Sequence, residues 1–202
     1  MTKKFFSVIL PVHNLAENLP ILLVNLDYCL SRQKTSSEVI IVDCGSTDGS
    51  KEIAKKLSSI LKSFNFFASD EAGGLDRAVI LGLKVARGEW RLVVNAGNFT
   101  AGGLIKILPH LKRGLAVISN SRRRVNFNRF WQNFIRLAPE NWRRFLFSLS
   151  RWPAAQSDWI CFSEKAVSSL LPALEADYRE FFVKALTTAR QLDLKVKIVS
   201  DF

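Results

Sequence analysis

The sequence predicts a single α/β domain built around a mostly parallel β-sheet with helices on both faces. Short apolar segments with the length of buried strands recur along the chain, and segments with helical spacing of their apolar residues lie between them. Such alternation is typical of parallel sheets, because each crossover helix covers one face of the sheet. The 202 residues suit one domain with a sizeable core, and 48% hydrophobic against 23% charged residues is a globular composition.

The expected strands are short and mostly apolar, and glycine, proline or polar residues separate them from the helices. The last one differs, because its apolar side chains alternate with polar ones, as in an edge strand with one exposed face. In chain order we expect strands at residues 5–10, 38–42, 63–68, 91–94, 115–118, 159–162 and 195–199.

The expected helices carry apolar residues at intervals of three and four, which gives each of them one apolar face. Asn14 is the expected cap of the first helix, and Gly-Ser-Thr-Asp-Gly at 45–49 is a turn that leads into the second. After this turn Ile53, Leu57 and Leu61 share one helical face. Helical spacing also covers residues 18–30, 75–86, 104–111, 164–171 and 177–191.

Cysteine usage and the N-terminus indicate a cytoplasmic protein. Cys29, Cys44 and Cys161 are odd in number, widely spaced and form no Cys-x-x-Cys pair, so we expect reduced thiols. Two lysines precede the first apolar segment, as in a signal peptide, but that segment is short and reaches Pro11. No stretch approaches the roughly 18 apolar residues of a membrane span. Membrane contact is therefore expected to be peripheral, at the inner face of the membrane.

The net charge of +11 is concentrated in residues 121–152, where eight arginines face only Glu140 and alternate with eight aromatic residues. We expect this basic aromatic segment to contact an anionic membrane surface, with rings at the headgroup level and arginines on lipid phosphates. Packing of two amphipathic helices is expected to explain part of the pattern. Single-stranded nucleic acid ranks lowest as a partner, because the chain contains no recognisable nucleic-acid module.

Ligands of open parallel sheets bind where the carboxyl ends of the strands meet. The residues that follow the first, second and fourth expected strands are therefore the candidate site. These residues are 11–14, 43–48 and 95–99.

These strand ends resemble those of family 2 glycosyltransferases, which have the GT-A fold. The most specific match is EVIIVDCGSTDGS at residues 38–50, where strand, Asp and Gly-Ser-Thr-Asp-Gly turn come in the family's order. GGLDRAVILGLKVARGEWRLVVNAGN at 73–98 is similar to the branch that builds colanic acid and other exopolysaccharides. The other matching segments are SVILPVHNLAENLPILLVNL at 7–26 and AQSDWICFSEKAV at 155–167, the latter followed by EADYREFFVKAL.

The resemblance implies an inverting glycosyltransferase of polysaccharide assembly. It would move a sugar from a nucleotide-sugar donor to a saccharide or a polyprenyl-diphosphate-linked acceptor. Residues 1–119 of the single domain 1–202 would form the nucleotide-sugar-binding half and residues 120–202 the acceptor-side half. By the resemblance, Asp177 is the general base that takes the acceptor's proton. The residues assigned to the nucleotide-sugar site are Pro11, His13, Asp43, Asp76, Asn95 and Gln156.

Several polar residues of the family pattern are replaced in this chain. Asn98 stands where the branch keeps an Asp that would hold Mg²⁺ or Mn²⁺, and an amide is a weaker ligand for these ions than a carboxylate. The other replacements are Cys44, Arg77, Ile80 and Ala155.

Two hypotheses follow from these replacements. In the first, arginines supply the charge of the metal ion at the leaving diphosphate. The candidates are Arg122, Arg123 and Arg124. In the second, the protein keeps the fold as a nucleotide- or partner-binding module without catalysis. We favour the enzyme, because Asp43, Asn95, Gln156 and Asp177 are retained.

Overall fold

The computed structural model describes residues 4–33, 35–69, 74–96, 99, 104, 107–111, 115–121, 159–176 and 181–200. Its strands are β1 (Lys4–Val12), β2 (Ser37–Asp43), β3 (Phe64–Ala68), β4 (Gly88–Val94), β5 (Val117–Ser121), β6 (Trp159–Ser163) and β7 (Val196–Ser200). Its helices are α1 (Leu19–Ser31), α2 (Ser50–Ile60), α3 (Gly74–Val85), α4 (Glu164–Ala176) and α5 (Phe181–Gln191), and Leu108–His110 form a 3₁₀ turn.

All seven strands belong to one sheet with the order β3-β2-β1-β4-β6-β5-β7. The pairs β1–β2, β2–β3, β1–β4 and β5–β7 are parallel, and β6 runs antiparallel to both of its neighbours. The mostly parallel α/β fold predicted from the sequence is therefore confirmed. The alternating segment at 195–199 corresponds to β7, which lies at an edge of the sheet as expected.

The chain reverses direction across the sheet at β1. It moves outward from β1 to β2 and β3, and then returns to place β4 on the other side of β1. Helices α1 and α2 contribute to the hydrophobic cluster on one face, and α3, α4 and α5 contribute to the cluster on the other. The boundary between β1 and β4 is thus a topological switch point, where loops diverge and leave a crevice at the carboxyl ends of the strands.

Strands β1 and β2 read as continuous apolar segments because helices cover both of their faces. The polar exceptions include Ser7, which is fully buried, and Glu38, with 2% of its surface exposed. Its carboxylate accepts hydrogen bonds from Ser7 Oγ and the Arg87 backbone N–H, both at 2.7 Å, and Ser7 Oγ accepts one from the Gly88 N–H at 2.8 Å. A buried carboxylate needs such partners. This network joins β1, β2 and the start of β4 at the edge opposite the crevice.

Some helix boundaries differ from the expected ones. Helix α4 continues past residue 171 to Ala176 and contains Pro172, since the buried Leu174 extends its apolar face. Within the expected helix at 104–111, Leu104 and Ile107 are helical, and a 3₁₀ turn follows at Leu108–His110. None of the described helices combines the length and the apolar character that a membrane span requires.

The expectation that Asn14 caps the first helix is wrong. Helix α1 begins at Leu19, and Asn18 occupies the N-cap position without a side-chain cap bond. Asn14 instead has a φ of 51°, in the left-handed region that Asn tolerates better than most residues. Its side chain is used by a neighbouring loop, as described below.

Gly82 allows α3 to pack closely on β1. A Cβ atom at this position would overlap Cγ2 of Ile9, which is fully buried. We therefore expect Gly82→Ala to lower the free energy of unfolding by about 1–3 kcal/mol, as overpacked cores do, although alanine is the better helix former. Urea denaturation measures the change.

The double variant Gly82→Ala/Ile9→Ala supplies the control, because it removes the overlapping methyl group. The cost of Gly82→Ala should be smaller in the Ile9→Ala background than in the wild type. Equal costs in both backgrounds would contradict a close contact between α3 and β1.

Candidate functional site

The carboxyl ends of β1, β2 and β4 meet at one edge of the sheet. Val12 at the end of β1 is paired with Asp43 at the end of β2. The last β1–β4 pair is Ile9 with Val93, so Asn95 follows β4 close to the level of Pro11. The structure thus brings together four of the residues predicted for the nucleotide-sugar site: Pro11, His13, Asp43 and Asn95.

Asp43 is a buried carboxylate at this edge, with 1% of its surface exposed. Its Oδ2 atom accepts hydrogen bonds from the backbone N–H groups of Gly45 at 3.1 Å and Ser46 at 3.2 Å. Its Oδ1 atom is also buried and has no hydrogen-bond partner among the described residues. A buried acceptor of this kind costs about 1–3 kcal/mol when it stays unpaired, and more when charged. The site therefore holds an acceptor that a donor group of a ligand would satisfy.

Asn14 connects the loop after β1 to the loop after β2. Its side-chain Oδ1 accepts a hydrogen bond from the Thr47 backbone N–H at 2.9 Å, and its own backbone N–H donates to Ser46 Oγ at 3.1 Å. The left-handed backbone of Asn14 aims both groups at the second loop. The Cys44 N–H adds a bond to the Val12 carbonyl at 2.9 Å.

Asp48 and Ser50 form a second connection between the same loops. The Asp48 carboxylate accepts hydrogen bonds from Ser50 Oγ at 2.5 Å, the Ser50 N–H at 3.0 Å and the Ala16 N–H at 2.9 Å. Ser50 Oγ in turn accepts one from the Leu15 N–H at 2.7 Å. The bonds from Ser50 and Ala16 lower the pKa of Asp48. The two loops therefore act as one unit around Asp43.

Cys44 follows Asp43 and is half-buried. Its side chain packs against the cluster formed with α3, and Sγ lies 3.6 Å from the Val42 carbonyl. Burial and, to a lesser extent, the neighbouring Asp43 charge raise the pKa of the Cys44 thiol to about 11. The thiol is thus protonated at neutral pH and suits neither nucleophilic attack nor thiolate ligation.

The remaining predicted residues are divided between described and undescribed parts of the chain. His13 is exposed, with Nε2 at 3.5 Å from Asn14 Nδ2. Asp76 lies in the first turn of α3 and is partly exposed. Six further predicted residues lie outside the described ranges: Asn98, Arg122, Arg123, Arg124, Gln156 and Asp177.

Sequence reasoning missed the roles of Asn14, Asp48 and Ser50 in joining the loops. The signal was present in the Gly-Ser-Thr-Asp-Gly-Ser string, whose side-chain oxygens exceed what a turn alone requires. Gly49 has a φ of 91° at the N-cap of α2, which explains the glycine that follows Asp48.

The donor groups after β4 are a poor match for a divalent cation. The described residues contain no group of three or more His, Cys, Asp or Glu side chains that could hold a metal ion. The segment 95–98 (Asn-Ala-Gly-Asn) offers amide and carbonyl oxygens but no carboxylate. Hard cations prefer charged oxygens, so this donor set does not fit a cation held by the protein's own carboxylates.

Comparison with known proteins agrees with this geometry. The model of "Glycosyl transferase family 2" matches residues 7–166, and the chain belongs to this family. Among curated relatives, glycosyltransferase AglE of Haloferax volcanii is 38% identical over 87 residues, which are 43% of this chain and 28% of AglE. The undecaprenyl-phosphate 4-deoxy-4-formamido-L-arabinose transferase of Aeromonas hydrophila is 30% identical over 101 residues, which are 46% of this chain and 29% of that protein. The chain thus spans under a third of their lengths.

A solved structure supports the fold over the whole chain. This structure is the mannosyltransferase PcManGT of Pyrobaculum calidifontis in complex with GDP-Man and Mn²⁺, with a TM-score of 0.67 and 16% sequence identity. The matched region covers 100% of this chain and 56% of the PcManGT chain. At this identity the likeness establishes the GT-A fold and nothing further.

The connection through Asp48 has a pH dependence that can be measured. Since hydrogen bonds lower its folded-state pKa below the ordinary 3.8, the carboxylate stabilises the folded protein above that value, and the stabilisation is lost as the pH falls through the lower folded pKa. Asp48→Asn should therefore be less stable than the wild type at neutral pH. The difference should shrink below about pH 4.

Urea denaturation of both proteins over a pH series tests this expectation. The comparison uses the difference between the two proteins, because other carboxyl groups titrate in the same range. A difference that stays constant from neutral to acid pH would show that the charge of Asp48 does not join the loops.

Proposed function

We propose that the protein is an inverting glycosyltransferase that uses a nucleotide-sugar donor, and that Asp43 reads the nucleoside. The observation that supports this most strongly is the buried Oδ1 atom of Asp43, which lacks a hydrogen-bond partner among the described residues. A nucleoside presents three kinds of donor to such an acceptor: the ring N–H of uracil or guanine, the exocyclic amino group of guanine, cytosine or adenine, and the ribose hydroxyls. Membership of family 2 and a structural relative that binds GDP-Man are consistent with this proposal.

The loops around Asp43 are held in a fixed arrangement that suits the binding of a nucleoside. Asn14, Asp48 and Ser50 hold the loop that follows β2 in place without a ligand. The two backbone N–H groups on Oδ2 fix the carboxylate so that Oδ1 points away from the turn. Because these two loops are already held together, less of the interaction energy with the nucleoside is spent on ordering them.

The proposed reaction is a single displacement at the anomeric carbon. An acceptor hydroxyl forms a bond to that carbon while the bond to the diphosphate oxygen breaks, which inverts the configuration and releases a nucleoside diphosphate. Asp177 takes the proton of the hydroxyl. Arg122, Arg123 and Arg124, which follow β5 in sequence, neutralise the leaving diphosphate. Gln156 helps shape the sugar site.

The proposed acceptor is a saccharide or a polyprenyl-diphosphate-linked saccharide in exopolysaccharide assembly. The Aeromonas hydrophila relative acts on undecaprenyl phosphate by its name, and the resemblance at residues 73–98 favours the colanic-acid branch. The replacements Cys44 and Asn98 support an alternative, in which the protein binds a nucleotide or a partner without turnover.

Titration calorimetry with UDP, GDP, CDP and ADP tests the role of Asp43. Uracil and guanine carry a ring N–H where cytosine and adenine carry an acceptor nitrogen, so a contact with the ring N–H predicts tighter binding of UDP or GDP. A contact with an exocyclic amino group predicts that UDP, which has none, binds most weakly. A ribose contact predicts similar affinities for all four and loss of affinity with deoxyribose analogues. Asp43→Asn should weaken binding by about 1.5–3 kcal/mol, which is roughly 10- to 100-fold in Kd.

The matched control is Asp193→Asn, which makes the same change at an exposed turn after α5. Unchanged Kd values in Asp43→Asn, or no binding of any nucleotide to the wild type, would contradict the proposal. Each titration is repeated with Mn²⁺. Stronger binding with the ion would show that the segment 95–98 holds it together with the diphosphate, against the arginine hypothesis.

A second experiment separates the enzyme from the binding module. With the nucleotide sugar that binds best, Asp177→Asn should lower the rate of nucleoside diphosphate release by about 10²- to 10⁴-fold, as expected for a lost general base. Its nucleotide affinity should stay within about twofold of the wild type, since the base acts on the acceptor.

Asp193→Asn again serves as the control and should retain the wild-type rate. Nucleotide binding without turnover in the wild type would favour the binding module. In that case a gain of metal-dependent turnover in Asn98→Asp would identify the replaced carboxylate as the lost function.

A further inference from the structure

Helix α1 has a second apolar stripe, which faces away from the core. Its leucines at 19, 22, 23 and 26 are buried against the sheet. Ile21, Val24 and Tyr28 recur at intervals of three and four residues on the opposite side and are 67%, 54% and 59% exposed. Seven large hydrophobic side chains are exposed among the described residues, and these are three of them. Their concentration on one helix face indicates a contact surface, because singly scattered apolar residues would not align.

The surface around this stripe is basic. Helix α2 packs on the same face of the sheet as α1, and its exposed side is rich in lysine. Residues 19–33 and 50–62 together carry five cations and two carboxylates. The cations are Arg32, Lys51, Lys55, Lys56 and Lys62, and the carboxylates are Asp27 and Glu52.

Tyr28 and Arg32 link the apolar stripe to this charge. The Arg32 guanidinium donates a hydrogen bond to the Tyr28 hydroxyl at 2.8 Å, and its central carbon lies 5.3 Å from the centroid of the Tyr28 ring. Both side chains are exposed. An aromatic ring and a cation are thereby held side by side, an arrangement that suits the boundary between lipid headgroups and acyl chains.

We propose that the outer surface of α1 and α2 binds the headgroup region of an anionic membrane. Ile21, Val24 and Tyr28 would enter the boundary with the acyl chains, while the lysines of α2 and Arg32 contact lipid phosphates. Charge selects this occupant over a second copy of the chain, because a two-fold contact through the same surface would bring like charges together. A bilayer with anionic lipids is complementary to both the apolar stripe and the positive charge of this surface.

The placement also has a consequence for the crevice. Helix α1 follows the carboxyl end of β1 and runs back along the sheet, as crossover helices between parallel strands do. A membrane along α1 would therefore lie parallel to the strands. The crevice around Asp43 would open sideways along the membrane surface, within reach of an acceptor carried by a lipid.

Sedimentation with vesicles of phosphatidylcholine and phosphatidylglycerol tests the surface in the full chain. Ile21→Ser/Val24→Ser should lower the partition coefficient by at least about tenfold. The matched control is Leu192→Ser/Ile198→Ser, which removes two apolar side chains of similar exposure, at 47% each, away from α1 and α2. This control should bind as the wild type does.

Charge is tested with Lys55→Glu/Lys56→Glu against Lys165→Glu/Arg190→Glu. The four residues are exposed, and both double variants change the net charge equally, but the second pair lies on α4 and α5. Only Lys55→Glu/Lys56→Glu should lower the partition coefficient by at least about tenfold. Vesicles of phosphatidylcholine alone should bind the wild type weakly. Thermal unfolding confirms that each variant is folded.

Two outcomes would overturn the proposal. If the α1 and α2 variants bind vesicles as well as their controls do, the membrane contact lies elsewhere, for example in residues 121–152, or is absent. If analytical ultracentrifugation shows a dimer that Ile21→Ser/Val24→Ser dissociates, the stripe is an interface between copies. The nucleotide affinity of the same variants is measured separately and should equal that of the wild type in either case. This proposal and the proposed function can therefore fail independently.

Discussion

The central position of β1 is the constraint on which the rest of the structure depends. Parallel strands flank it on both sides and helices cover both of its faces, so its residues are mostly apolar and its backbone groups pair within the sheet. Beyond its carboxyl end, after the buried Val12, the chain reaches solvent at His13 and Asn14. The reversal of the chain across β1 directs α1 and α2 to one face and α3 to the other, which leaves that end open. The location of the site is thus a consequence of topology rather than of any single residue.

Beyond the carboxyl end of β1, side-chain hydrogen bonds hold the backbone in place where the hydrogen bonds of the sheet end. Beyond Val12 and Asp43 no ladder is available, and the loops are held by Asn14, Asp48 and Ser50. Most of their bonds are to backbone N–H groups of the opposite loop or to each other, so these side chains serve mainly to join the two loops. Asp43 is the exception, since one oxygen serves the turn and the other does not. Joining the loops and the proposed recognition of a nucleoside therefore fall on different residues, and substitutions can separate them.

The sequence predicts the strands well because burial on two faces leaves an unambiguous apolar signature. It predicts that Pro11, His13, Asp43 and Asn95 lie together, because they follow strands whose carboxyl ends share an edge. It could not predict the strand order, in which β6 lies between β4 and β5, since that depends on long-range pairing. Asn14 was misassigned as a helix cap because capping and loop bridging require the same short polar side chain. The continuation of α4 through Pro172 was missed because proline usually ends a helix, whereas here the burial of Leu174 outweighs that preference.

Helix α1 shows how one element can serve the core and a surface at once. A helix on an open sheet needs only one apolar stripe, and its leucines supply it. The second stripe of Ile21, Val24 and Tyr28 adds nothing to the packing of the sheet, and exposed apolar groups promote unspecific association. Neighbouring lysines oppose such association between copies of the chain while they attract an anionic surface. An apolar stripe beside lysines is therefore better explained by contact with a membrane than by chance exposure of apolar side chains. A helix that begins beside the crevice would then fix both the orientation of the site and its distance from the lipid.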